Sequence, residues 1–397
     1  MIDFETAEQL LHAHLPLLET EKIVIQHSNG RVLAEDIIAP MPHPFFDQSS
    51  VDGYLFYFAD KEVELSVTGE IAAGSALNPN LQRGEAIRIF TGAPVPENCG
   101  DTIVMQEYVT KNGNDALINI KDAKLKLGAN IRKKGEQLKK GAVTLKASTL
   151  LNPTAIGFLA SIGITEISVF KKPKVCILVT GNEFALPHET LENGKIYDSN
   201  GVMLQAALKG LGLDCLSETI KDDLDVLKNA IAAKVNEQDV LIITGGVSVG
   251  DYDFTLPALE QNGFEMVFHK VHQKPGKPIL FMKRSDGKVA FGLPGNPRSA
   301  IMGYYLYVLP SLLKMMGHSQ PFIAIEIPIG HDFKKMDDGK THFLSGILRN
   351  HQVWLNEQQA SHMLLSLATA QVIAILPPQP LEYKTGDWLR CRMIPLV

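Results

Sequence analysis

The chain is poor in cysteine. Its four cysteines, at positions 99, 176, 215 and 391, form neither a CxxC pair nor a cluster with histidine, which removes the signatures of structural zinc and of an iron–sulfur centre. Thiols flanked by apolar residues, as in Val175-Cys176-Ile177, read instead as buried core groups. A charge excess of one sign is also missing. The 38 Lys and Arg against 44 Asp and Glu leave −6, a balance that gives no support to a general nucleic-acid binder. No apolar run reaches the ~20 residues of a membrane span; the most suspicious stretch, 301–316, carries Pro310 and Lys314. Met1-Ile2-Asp3-Phe4-Glu5 lacks the basic-then-apolar order of a secretion signal, so the cytoplasm is the expected compartment. The twelve histidines form no HExxH, and Ser248 lies in VSVG rather than a GxSxG elbow, so neither zinc nor serine hydrolases have their signature here.

What is present is a globular composition: 397 residues, 45% hydrophobic and 21% charged. At ~100–200 residues per domain this length predicts two to four domains. Leu10, Leu11, Leu15, Leu17 and Leu18 mark a short amphipathic helix over 5–18, ending near Pro16. Prolines 40, 42 and 44 make 40–50 a connector or an ordered loop over a site. From 62 to about 146, short apolar runs divided by Gly, Pro and Asn predict a β-rich domain, and 149–165 reads as a helix starting at Ser148 or Thr149. After the basic hinge 171–174, strand and helix patterns alternate. The continuous apolar runs 175–179 and 239–243 suit parallel strands buried on both faces, separated by helices from Asn200 to Gly210 and from Leu224 to Val235. Beyond Gly317 the pattern returns to β. The expected architecture is therefore multidomain α/β and β: a partly helical linker (1–48 and 142–170), a β-rich domain (49–141), an open α/β domain (171–317) and a C-terminal β domain (318–397).

Several loops could carry chemistry. In 241–253 an apolar strand runs into Gly245, Gly246 and Gly250, which permit positive φ and close backbone approach, so that amides can face an anion. The position also obeys the rule that open α/β sheets bind ligands beyond strand C-termini. The loop is neither GxGxxG nor GxxxxGK[ST], and a tight strand-to-helix turn remains the plain alternative. Asp253 can hold a divalent ion or position a reacting oxygen, and it can equally cap the next helix. Glu183 follows a buried strand; Asp222 and Asp223 precede a helix, where capping competes with ligand work. Lys274-Pro275-Gly276-Lys277-Pro278 presents two compact cations from a constrained turn, and Pro294 and Pro297 shape the loop 292–297. Asp52 is the better chemical candidate in 49–54, while Thr91 in 89–94 anchors its turn or donates to an oxyanion. Residues 121–141 carry eight Lys or Arg against two acids, suiting a phosphate-bearing ligand or a solvated face.

In ordered series, SSVDGY (49–54), IFTGAPVP (89–96), NIRKKGE (130–136), TGNE (180–183), IYDSN (196–200), TGGVSVGDYDFT (244–255), KPGKP (274–278) and GLPGNP (292–297) make the chain resemble the MoeA/gephyrin-E family of molybdopterin molybdenumtransferases along essentially its whole length. The resemblance implies that molybdenum from molybdate enters adenylylated molybdopterin with release of AMP and with Mg2+ as cofactor. It also implies a homodimer of elongated subunits, in which the α/β molybdopterin-binding domain of one subunit faces the SVDGY-bearing domain of the other. Molybdopterin adenylyltransferase and molybdoenzyme acceptors are the implied protein partners. The implied catalytic set is Asp52, Thr91, Glu183, Asp223, Asp253, Lys274 and Lys277. Gly245, Gly246, Ser248, Gly250, Pro294 and Pro297 would bind the cofactor precursor, and Asp253 and Glu183 the metal. Three positions depart from the family pattern. Gln137 stands where an aspartate is common, Asn182 where TGDE has Asp, and Arg298, which suits an anion contact or a surface salt bridge, follows GNP in place of a small apolar residue. Glutamine cannot act as a carboxylate. Gln137 therefore keeps open a non-catalytic molybdopterin-binding or scaffold protein, beside a molybdopterin adenylyltransferase suggested by related α/β domains.

Overall fold

Gly, Pro and Asn break residues 53–120 into six short strands: β1 (Gly53–Phe56), β2 (Leu65–Ile71), β3 (Glu85–Ile89), β4 (Thr102–Met105), β5 (Val109–Asn112) and β6 (Leu117–Ile120). They form one sheet in the order β4-β1-β3-β2-β6-β5, antiparallel except for the β2/β3 pair. Period-2 alternation sorts its side chains between two cores. Leu55, Ile87, Ile89 and Ile103 enter one, and Tyr54, Phe56, Ala86 and Val104 the other. Gly53 is required where it stands, because a Cβ there would lie 1.9 Å from the Val104 carbonyl oxygen. In the computed structural model, which describes residues 1–247, 253–321, 323–357 and 359–395, this sheet belongs to a compact unit spanning Lys22–Ser168. A second unit comprises Met1–Glu21 and Val169–Val397.

The helix expected from Ser148 or Thr149 begins later, as Pro153–Ser161. Asn152 accepts the Ala155 amide at 2.8 Å and Pro153 takes the first helical position, where its missing N–H costs nothing. Ser148 has φ of 63°, and Leu150 bridges to Val32, so both stay outside the helix.

The second unit holds a mixed sheet of β7 (Val175–Thr180), β8 (Cys215–Ile220), β9 (Val240–Thr244), β10 (Phe264–His269), β11 (Leu280–Arg284) and β12 (Val289–Leu293). The order is β8-β7-β9-β12-β11-β10; the first four run parallel, and β11 and β10 are antiparallel to their neighbours. The continuous apolar runs are buried on both faces as expected. Val175, Ile177 and Val179 pack with Leu204 and Leu208 of the helix Asn200–Gly210, while Cys176 and Leu178 pack with Leu227 and Ile231 of Leu224–Val235 and with Ala258 and Leu259 of Thr255–Glu260. Phe4, Ala7 and Leu11, from the Asp3-capped helix Phe4–His14, complete the first core. The apolar stretch 301–316 is a buried helical run, and no helix among the described residues is long and apolar enough to cross a membrane.

The chain after residue 317 forms a third sheet from β13 (Ile325–Pro328), β14 (Thr341–Arg349), β15 (Gln352–Leu355), β16 (Val372–Leu376) and β17 (Trp388–Met393). Gln273–Lys274, from the α/β region, adds to β14 in parallel, with Lys274 opposite His342.

Candidate functional site

The chain enters β7, crosses to β8 on one side, and returns past β7 to β9 on the other. The helices that follow β7 and β9 lie on opposite faces. That reversal opens a crevice beyond the C-terminal ends of β7 and β9, the general ligand position of open α/β sheets. TGNE and TGGV begin there. Thr180, 6% exposed, donates its hydroxyl to the Thr244 carbonyl at 3.2 Å. Gly245 has φ of 91°, and a Cβ on it would sit 2.5 Å from Thr180 Oγ1, so only glycine fits. Thr255 Oγ1 donates to the Gly245 carbonyl at 3.1 Å, and the Thr255 amide to the Gly246 carbonyl at 3.2 Å. One expectation is corrected. The Gly245 amide does not face outward to a phosphate; it donates to the Leu293 carbonyl at 3.0 Å and so extends the sheet. Ser248 and Gly250 lie outside the described residues.

The same crevice gathers the loop 292–297. Gly295 approaches Gly245 (3.8 Å from Gly245 Cα to a Cβ placed on Gly295), and Asn200 Nδ2 donates to the Gly295 carbonyl at 2.8 Å. Asn200 therefore does not cap its own helix. Asp198 does so, accepting the Gly201 amide at 3.0 Å. Pro294 is buried, and Pro297 opens the helix Pro297–Gly303. Asp223 caps the helix Leu224–Val235 through the Val226 amide at 2.9 Å, which commits one of its two oxygens. Glu183 is exposed and Asp253 half-buried, both just beyond neighbouring strand ends. Among the described residues no group of three or more His, Cys, Asp or Glu side chains could hold a metal ion. Glu183 and Asp253 still offer hard carboxylate oxygens, the donors magnesium takes when substrate phosphates and water fill the rest of its shell.

Lys274 and Lys277 are exposed on a turn whose backbone is held from beneath. Gln273, 2% exposed, donates its amide to the carbonyls of Pro275 and Gly276, both at 3.1 Å, and accepts the hydroxyl of buried Tyr307. Sequence reasoning missed this support; the stretch His272-Gln273 between Val271 and the turn carries no local signal that Gln273 points inward. Arg298 is corrected outright. It is neither an anion contact nor a surface salt bridge but is fully buried, donating to Ser366, Met363, Gln359 and Ser345.

In the other unit, Asp52 and Thr91 come together. Asp52 Oδ1 accepts both the amide and the hydroxyl of Thr91 at 2.8 Å, leaving Oδ2 of the half-buried residue directed to no described partner. The Thr91 backbone amide, then its hydroxyl, holds the Asp52 carboxyl below its ordinary range. Arg88 lies near, its guanidinium over the rings of Tyr54 and Phe90 and bonded to the Tyr54 hydroxyl at 2.9 Å. Gln137 borders a cavity of about 430 Å³ with His43, Gln48, Arg132 and Glu136. Asp47 binds Lys133 Nζ at 2.8 Å, so part of the basic segment is already neutralised. A cavity of about 660 Å³ in the α/β unit, lined by Lys172, Lys174, Asp239 and Lys288, opens at the opposite ends of the strands and belongs to neither site.

Comparison with known proteins gives one answer. The family described as MoeA N-terminal region (domain I and II) matches residues 2–163, and that described as probable molybdopterin binding domain matches 176–314. A molybdopterin molybdenumtransferase of Haemophilus influenzae is 36% identical over 324 residues, covering 81% of this chain and 79% of that protein. A protein of the same name from Nostoc is 31% identical over 377 residues, covering 90% and 85%. The crystal structure of a molybdopterin biosynthesis MoeA protein from Pyrococcus horikoshii superposes with a TM-score of 0.84 at 28% identity, covering 99% of this chain and all of that one.

Proposed function

Because the chain belongs to the MoeA family of molybdopterin molybdenumtransferases, we propose that it inserts molybdate-derived molybdenum into adenylylated molybdopterin, releasing AMP, in molybdenum cofactor biosynthesis. The observation that carries this reading is the meeting of the Gly245 and Pro294 loops at the crevice, locked by the Gly245–Leu293 and Asn200–Gly295 hydrogen bonds. Such a floor lets a flat, polyanionic ligand approach the backbone closely. Gly246, Ser248 and Gly250 would line it, and Pro294 and Pro297 would fix its rim. Lys274 and Lys277 would neutralise phosphate and molybdate oxygens as charge shifts to the leaving group, the electrostatic work that dominates such transfers. Asp223 keeps one oxygen for a substrate contact while the other caps its helix. Magnesium would be held by Asp253 and Glu183 with substrate phosphates, and would supply charge neutralisation there.

In this reading the working form is a homodimer in the cytoplasm, divided as 1–48 with 142–170, 49–141, 171–317 and 318–397. Asp52 and Thr91 of one subunit would complete the crevice of the other and orient molybdate. The depressed Asp52 carboxyl stays ionised near neutrality, so it orients cations or accepts hydrogen bonds and does not act as an acid. Purified protein mixed with adenylylated molybdopterin, molybdate and magnesium is expected to yield AMP and metallated cofactor in equal amounts. No turnover above a heat-killed control, from folded dimer, would refute the proposal. A second reading, a molybdopterin-binding protein without catalysis, is favoured by Gln137 alone. It predicts tight retention of the pterin without AMP, and Gln137→Asp would then restore release.

A further inference from the structure

Lys274 is attached to a part of the chain that the proposed chemistry leaves unused, the sheet formed after residue 317. The short strand Gln273–Lys274 adds in parallel to β14, with Lys274 opposite His342 and the Thr341 amide donating to the His272 carbonyl at 3.1 Å. Residues opposite each other on neighbouring strands project from the same face about 5 Å apart, so the lysine and the imidazole are neighbours. The loop before β14 closes round them. Lys274 Nζ meets Met336 Sδ at 3.8 Å, and Lys335, 2% exposed, donates to the Lys340 carbonyl at 3.1 Å. Two residues beyond Lys274, a Cβ placed on Gly276 would lie 3.6 Å from the Ser299 carbonyl, in the helix that leaves the loop 292–297.

His342 sits inside this arrangement. It is 6% exposed, and its Nε2 lies 2.8 Å from Asp338 Oδ1, which also accepts the Lys340 amide at 3.2 Å. Burial raises the Asp338 carboxyl, but the His342 hydrogen bond and the neighbouring cations hold it below its ordinary range, so it is ionised near neutrality. An ionised carboxylate only accepts; Nε2 therefore carries the hydrogen, and Nδ1 keeps the lone pair that takes up a proton. The charged groups around the ring are Asp338, Lys335 and Lys274, with Asp337 and Lys340 in the same loop and His272 on the lysine strand. Burial pulls the imidazole below its ordinary range, Asp338 pushes it back up, and Lys335 and Lys274 add to the fall. The ring is neutral near pH 7, and its charge responds to whatever occupies Lys274.

We infer that His342 is a positioning residue that couples oxyanion binding at Lys274 to the uptake of a proton. An anion on the lysine offsets the charge that keeps the ring neutral, and a protonated ring in turn holds the anion more tightly, as linkage requires. That Lys274 meets an oxyanion rests on the proposed reading; the coupling to His342 does not. Inorganic sulfate is the probe, because it stays a tetrahedral dianion from about pH 5 to about pH 8, the range in which histidine titrates. Full-length wild type, His342→Gln and Lys274→Met are titrated calorimetrically at both ends of that range. The His342 ring is followed by NMR, with circular dichroism to confirm folding. Wild type is expected to bind sulfate about threefold or more tightly at the acid end, the Coulombic gain from one further charge nearby. His342→Gln keeps a donor toward Asp338 but takes up no proton, and is expected to flatten the difference. Sulfate should raise the midpoint of the His342 ring titration in wild type. In Lys274→Met that midpoint should already be higher, and sulfate should leave it unmoved.

A ring midpoint that neither sulfate nor Lys274→Met shifts would overturn the inference. So would an acid-end gain that survives in folded His342→Gln, which would assign it to His272, or a wild type that binds no sulfate. If His342→Gln does not fold, Lys274→Met, a change at an exposed residue, carries the test through the ring midpoint. Proton-coupled sulfate binding in a protein without insertase turnover would sink the functional reading alone. An active enzyme with uncoupled binding would sink this one alone.

Discussion

The two units support their reactive side chains in opposite ways. In the α/β unit the exposed groups, Lys274, Lys277 and Glu183, rest on a buried polar layer of Thr180, Asn200, Thr255 and Gln273, each bonded to the backbone of a neighbouring loop. In the β unit that layer thins to one residue, fully buried Ser49, which donates to the Val51 carbonyl at 2.6 Å, and Asp52 itself is bound directly by Thr91, an exposed residue holding a half-buried one. Loops that must cradle a large ligand are fixed through their carbonyls from below, whereas a single carboxylate needs only two donors to set its direction and charge. Damage to the first should therefore cost fold and function together, and damage to the second function alone.

The sharpest way to break that contrast is Gly245→Ala. The new methyl would meet Thr180 Oγ1 at 2.5 Å in a residue with φ of 91°. A loss of about 2 kcal/mol or more is expected in urea unfolding, together with loss of turnover. Retained stability would mean that the floor is not rigid.

Next in size is Asp52→Asn, expected to cut turnover about 100-fold while leaving the urea midpoint nearly unchanged. Thr91→Val sharpens the same point. Removing the hydroxyl donor lets the Asp52 pKa rise toward its ordinary value of about 4, so the acid limb of the pH–rate profile should move upward. The linkage has a definite sign. A depressed folded-state pKa contributes stability that is present above the unfolded value and is lost as pH falls through the folded one, so Thr91→Val is expected to lose that contribution above about pH 4 and to converge with wild type in more acidic solution.

The smallest effect separates cap from chemistry at Asp223. Asp223→Ala should lose about 1 kcal/mol, and Asp223→Ser should recover most of it because serine also caps. If Asp223→Ser restores turnover as well as stability, the residue serves the helix only.

Much of this contrast was visible in the chain itself, but unevenly. Val175–Thr180 and Val240–Thr244 were legible because burial on both faces demands an unbroken apolar run, and Leu224–Val235 because its cap and period agree. The strands Phe264–His269 and Leu280–Arg284 escaped notice; the first is the edge strand, where exposed positions dilute the apolar signal, and the second, inside the sheet, offers only a three-residue buried run before Lys283 and Arg284. The glycines of the crevice announced a shaped loop, yet the pairing of the Gly245 amide with Leu293 depends on a strand nearly fifty residues on. Arg298 was misread for the same reason: its acceptors lie 47 to 68 residues downstream, so nothing near GNPR reports that the side chain turns inward. Local pattern reports what a segment requires of its surroundings and is silent on which distant segment meets the requirement.

The amide of Gln273 grips two successive carbonyls of the lysine turn and is itself gripped by Tyr307, whose ring stands in the core against Phe4 and Phe268. The aim of Lys274 and Lys277 is thereby set from the interior, through a side chain that is itself buried. Anyone retuning the anion preference of this protein would change the lysines first and obtain altered strength; altered geometry would have to come from repacking around position 307.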